Sequence, residues 1–124
     1  MLYYSSMTAL NSEDSPVYIK LRGTISAAIL RGEFRAGDQL PSVRALAAEH
    51  GANPLTVAKA YQSFQDDGYV EVRRGVGMFV LAGAVEKLRA AEREHFIKTS
   101  WPRIAAHIEL LGLDVADLLE REKA

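Results

Sequence analysis

Apolar positions along this 124-residue chain change their spacing several times, and each change marks a new element. Tyr18, Leu21, Ile25, Ala28 and Ile29 recur at three- and four-residue steps, which predicts one helix of about four turns. It opens at Ser15-Pro16, since serine favours the N-cap and proline the first helical position, and it ends at Gly32. Residues 33–41 lose the period: Ala36-Gly37-Asp38 reads as a turn, and Leu40 is extended because it precedes Pro41. Ser42 caps a second helix, Val43 to His50, stopped by Gly51. Asn53-Pro54 repeats the signal before a third helix, Leu55 to Asp67, stopped by Gly68. In that helix Val57, Ala60, Tyr61 and Phe64 share the inner face, while Thr56, Lys59, Gln62 and Ser63 point outward.

The period then drops to two over Tyr69 to Arg73, with Met78 to Leu81 as the partner strand and Arg74-Gly75-Val76-Gly77 as the hairpin tip. Two short helices joined by a tight glycine turn, followed by a hairpin, predict a winged helix-turn-helix. From Gly83 the pattern is helical again. Val85, Leu88, Ala91, Phe96 and Ile97 give a rough stripe, and Trp101-Pro102 kinks or breaks it. Ile104, Ile108 and Leu111 continue an apolar surface, as do Val115, Leu118 and Leu119 beyond Gly112. Asp114 caps the last short helix, with Asp117 favourable in its first turn. The fold class is therefore α+β and mainly α. A flexible arm over residues 1–15 precedes a winged domain over 16–82 and a helical tail over 83–124.

Composition narrows the function. Hydrophobic residues at 48% and charged ones at 25% are globular values. The absence of cysteine excludes disulfides, thiolate nucleophiles and Cys-based zinc sites. No apolar run approaches the ~20 residues that span a bilayer, and the N-terminus lacks the basic start and apolar core of a secretory signal, so the expected location is the cytoplasm. The net charge of −1 is unevenly spread. In residues 17–82, 8 Lys and Arg face 6 Asp and Glu, a local +2, whereas the last 21 residues carry −3. A mildly basic middle gains meaning only beside a motif.

Two such motifs occur. Arg73-Arg74-Gly75-Val76-Gly77 sets paired guanidinium groups on a glycine tip, which suits phosphate or a narrow minor groove; the plain alternative is a solvated charged turn. Ser42 and Arg44 open the second helix, and Asn53, Thr56 and Lys59 lie along the third, where a recognition helix meets the major groove. The plain alternative is that Ser42 and Asn53 only cap, and that Thr56 and Lys59 only solvate. Catalysis finds no footing. His50, His95 and His107 lack metal-ligand spacing, no nucleophile elbow occurs, and Gly75-Val76-Gly77 lacks the rest of a dinucleotide loop. Neither an enzyme, a metal nor a cofactor is expected.

With these residues in view, Pro16 to Leu81 resembles the GntR-type winged helix-turn-helix of bacterial transcription regulators. The likeness rests on GEFRAGDQLPSVRALA (32–47), NPLTVAKAYQSFQDDGYVE (53–71) and RRGVGMFV (73–80), which stand in family order and spacing. The tail, too short for a large effector domain or a fused aminotransferase, is similar to that of the YtrA-type subgroup. The resemblance implies that Arg44 contacts DNA with Ser42 near phosphate, and that Asn53 and Thr56 begin the recognition helix with Lys59 further along. It also implies that Arg74 and Gly75 enter the minor groove at a tip completed by Gly77, and that Arg73 binds backbone. Two positions depart from the pattern. Leu55 stands where the subgroup often carries a polar residue, so a base contact there is either lost or apolar, as with a thymine methyl. Met78 replaces the usual threonine after the second wing glycine.

The expected function is sequence-specific binding of a double-stranded DNA operator and regulation of transcription, with repression as the sign. One winged domain makes few contacts, so a homodimer on a pseudo-palindromic site is expected. Ile104, Ile108, Leu111, Val115, Leu118 and Leu119 would pack across its two-fold axis. The alternatives are a tail that covers its own winged domain, and a winged interaction module without DNA. A small-molecule effector is left open as a further partner, and a membrane is not one.

Overall fold

A computed structural model of the chain describes residues 15–123. The expected N-terminal arm, apart from Ser15, lies outside the described residues. α1 (Pro16–Leu30) starts where the Ser15 hydroxyl oxygen accepts the Tyr18 amide at 3.2 Å. It buries Tyr18, Leu21, Ile25, Ala28 and Ile29, the stripe its spacing predicts. α2 (Val43–His50) is capped by Ser42, whose oxygen accepts from the Ala45 amide at 3.0 Å, and ends at Gly51. With φ 60° Gly51 sits in the left-handed region, where a Cβ is costly.

α3 (Pro54–Asp66) begins one residue before the expected Leu55, because Pro54 takes the first helical position behind the Asn53 cap. It packs against both α1 and α2. Val57, Ala60 and Phe64 are fully enclosed, and Phe64 meets Tyr69 edge-on with ring centroids 5.8 Å apart. β1 (Val70–Arg73) pairs antiparallel with β2 (Gly77–Val80), in the register Val70 opposite Val80 and Arg73 opposite Gly77. β2 lies one residue ahead of its expected span, although the Leu81 amide still donates to the Tyr69 carbonyl at 3.0 Å. The segment before α2 adds a third line to this ribbon. The Val80 amide donates to Asp38, and the Leu40 amide to Met78, at 2.9 and 2.8 Å.

α4 (Ala84–His95) contributes Ala84 and Leu88 to the same core, which also holds Leu40, Leu46, Val70 and Val80. The chain separates into two compact units, one ending at Leu88 and the other beginning at Arg89. In the second, the backbone stays helical through Trp101 (φ −60°, ψ −44°), with a π-helical turn at Phe96–Ser100. Pro102 has no N–H to give the Lys98 carbonyl and its ring crowds that oxygen, so a wider turn resolves the expected kink or break. α5 (Trp101–Leu110) ends in a left-handed Gly112, with the Leu113 amide closing back on the Ile108 carbonyl at 3.0 Å. α6 (Val115–Lys123) follows, its Ala116 amide donating to the Asp114 carboxylate at 2.7 Å. No residue of α5 or α6 is buried. Among the described residues no helix is long and apolar enough to cross a membrane.

Candidate nucleic-acid interface

Capping geometry decides what Ser42 and Asn53 have left to offer. Each uses its side-chain oxygen as an acceptor, Ser42 for the Ala45 amide and Asn53 for the Leu55 amide at 2.8 Å. Among the described residues the serine hydroxyl hydrogen and the asparagine NH2 have no acceptor and can donate outward. Both side chains are exposed, so capping and an outside contact are compatible.

The edge of α3 lies slightly off the expected one. Leu55, Lys59, Gln62 and Asp66 are exposed, whereas Thr56 and Ser63 are only half so. The reason is angular: Thr56 stands one turn before the enclosed Ala60, and Ser63 three residues after it, so both border the core face. The Ser63 hydroxyl accordingly turns back to the Ala60 carbonyl at 2.7 Å. Lys59 therefore projects further from the core face than Thr56.

The wing splits its two arginines. Arg73 leans back on the protein, with its guanidinium 4.0 Å over the Phe79 ring and 3.3 Å from the Glu71 carboxylate. Arg74, in the turn closed by the Val76 amide on the Arg73 carbonyl (2.9 Å), makes no ion pair among the described residues. Arg44 and Lys59 likewise have no carboxylate partner among them. Gly75 at φ 77° and Gly77 at φ 145° supply left-handed backbone that the turn requires.

The wing and α2 share a concavity. A groove of about 280 Å³ is walled by Ser42 and Val43 on one side and by Val72, Val76, Gly77 and Met78 on the other. Gln39 and Tyr61 hold these walls, and neither was among the expected site residues. The Gln39 amide donates to the Val76 carbonyl at 2.8 Å; a Cβ on Gly77 would push that amide aside, and the φ of 145° is what calls for glycine there. The Tyr61 hydroxyl donates to the Pro41 carbonyl at 2.7 Å, tying α3 to the residue before the α2 cap. Burial, with Glu49 nearby, pushes the Tyr61 pKa up to about 12, so the phenol keeps its proton. The short extended piece before Pro41 hinted at Gln39, and an aromatic on an inner helix face hinted at Tyr61, but their partners are 37 and 20 residues away in sequence. Among the described residues no group of three or more His, Asp or Glu could hold a metal ion.

Two helices at a tight turn beside a glycine-tipped ribbon define a winged helix-turn-helix. Comparison with known proteins identifies which kind. The sequence profile of bacterial regulatory proteins, gntR family, matches residues 18–80, and the chain belongs to that family. It is 32% identical over 111 residues to the "Uncharacterized HTH-type transcriptional regulator YhcF" of Bacillus subtilis (strain 168), covering 85% of each chain. It is 39% identical over 70 residues to the HTH-type transcriptional repressor YtrA of the same organism, covering 56% of this chain and 54% of that one. Among solved structures, a GntR family transcriptional regulator from Listeria monocytogenes superposes with TM-score 0.68 at 24% identity, over 90% of this chain and 96% of that one. The DNA-binding domain of AraR in complex with operator ORR3 superposes with TM-score 0.51 at 26% identity, over 53% of this chain and 80% of that one. The chain is a DNA-binding transcription regulator of the YtrA-type GntR class.

Proposed function

We propose that the chain is a cytoplasmic homodimeric repressor that binds a pseudo-palindromic operator. Residues 16–82 grip one half-site, and residues 83–124 join two copies. One observation carries the reading: Arg44, Lys59 and Arg74 are exposed on α2, α3 and the wing, with no carboxylate partner among the described residues. Cations left unpaired by the protein are those that phosphates attract most, since no internal bridge must first be broken. Ser42 donates its hydroxyl near the α2 N-terminus, and Asn53 and Thr56 face the duplex at the start of α3. Gly75 and Gly77 let the wing backbone approach the minor groove beside Arg74, with Arg73 on the flank. The operator in the AraR complex supports this use of the fold, and the name of YtrA supports repression.

The tail argues for pairing. Ile104, Leu111, Val115 and Leu119 are exposed and Ile108 and Leu118 half-buried in the single chain, an apolar surface that a second copy would cover. Fluorescence anisotropy with duplexes tiled across the region upstream of its own coding sequence tests the whole. A saturable complex that resists random competitor DNA is expected. Arg44→Ala should weaken it by about 1–3 kcal/mol if the side chain reaches a base. Binding equal on every duplex would end the claim of a specific operator.

A further inference from the structure

The exposed edge of α3 opens with a side chain that can make no hydrogen bond. Leu55 is 63% exposed in the first turn of the helix, one turn before Lys59 on the same edge, and it stands outside the core cluster. Its amide is held by the Asn53 cap, so the backbone beneath it is fixed. The rest of that edge, Lys59, Gln62 and Asp66, is polar. An isolated surface leucine needs no explanation in general. This one occupies the first turn of the second helix of a helix-turn-helix, the part that meets base edges.

Leucine offers neither donor nor acceptor, so it cannot read a purine edge or bind phosphate. The apolar feature a base pair presents in the major groove is the C5 methyl of thymine. We infer that Leu55 is a specificity-determining residue that selects thymine by packing on this methyl group. The inference rests on the proposed reading that α3 enters the groove. A thymine is then preferred over cytosine at one position of each half-site, because cytosine has a hydrogen where thymine has the methyl. Lys59, one turn on, anchors the neighbouring phosphate and leaves Leu55 the base edge.

The experiment selects sequences from a random duplex pool with the full chain, then replaces each thymine of the enriched site by deoxyuridine. Deoxyuridine keeps every hydrogen bond and removes only the methyl. At one thymine per half-site the affinity should fall about fourfold, the value of one buried methyl. In Leu55→Ser the same replacement should change nothing, while the variant keeps the circular dichroism and melting profile of the parent. Equal affinity for thymine and deoxyuridine at every position, or a methyl dependence that survives in Leu55→Ser, overturns the contact but leaves operator binding standing. A pool in which nothing is enriched overturns the operator reading and the contact with it.

Discussion

The two compact units of this chain solve the burial problem differently. The unit ending at Leu88 encloses Ile29, Val57, Phe64, Val70, Val80 and Leu88 almost completely, drawing on three helices, the ribbon and the start of α4. The unit beginning at Arg89 has large apolar side chains on α5, on α6 and between them but buries none of these; Leu111 is 58% and Leu119 61% exposed. Sequence texture hides this contrast, since both units carry helical stripes. A stripe states that a face is apolar, not what covers it. One unit contains its own core. The other, in the single chain, buries no side chain of its last two helices.

Charge on the tail is the sharpest way to break this comparison. Leu111→Glu with Leu119→Glu should convert a dimer to a monomer in sedimentation equilibrium and weaken operator binding by about 10²–10⁴-fold, the gain that linking two sites provides. The melting of the winged unit should hardly change. A dimer that survives both charges would show that pairing lies elsewhere. Core truncation is the converse: Phe64→Ala should destabilise the fold by about 3–5 kcal/mol in urea titration, because the enclosed ring leaves a cavity. A loss below about 1 kcal/mol would mean that the first unit is less tightly packed than its burial implies.

The two wing arginines make a finer contrast. Arg74→Ala should reduce the salt slope of binding by about one, the signature of a lost phosphate contact. Arg73→Ala should reduce it less, since Glu71 already neutralises that guanidinium and Phe79 holds it. Equal slopes would remove the distinction. Gln39→Ala should have the smallest effect. One exposed hydrogen bond contributes about 0.5–1.5 kcal/mol, so freeing the wing tip should cost at most about tenfold in affinity with little change in melting temperature. Unaltered affinity would show that the tip needs no tether.

Local signals in the sequence were reliable where the interaction was local. Ser15 to Tyr18, Ser42 to Ala45 and Asn53 to Leu55 span two or three residues, so each cap could be read from its own neighbourhood. Glycines at 32, 51, 75 and 77 stood at the helix ends and hairpin tip where they were expected, each with positive φ. What could not be read depended on distant partners. Gln39 looked like part of a short extended piece, and Tyr61 like one more apolar contact. Thr56 was read as pointing outward with Lys59, Gln62 and Ser63, yet it is half-buried beside the enclosed Ala60.

The chain alone determined where helices start and stop, which faces are apolar and which residue types line the wing, because backbone sterics and side-chain periodicity act within a few residues. Tertiary structure decided that Glu71 and Phe79 hold Arg73 while Arg74 has no carboxylate partner among the described residues, and what holds the wing against α2. Those outcomes depend on which groups meet across tens of residues, and spacing along a chain does not encode such meetings.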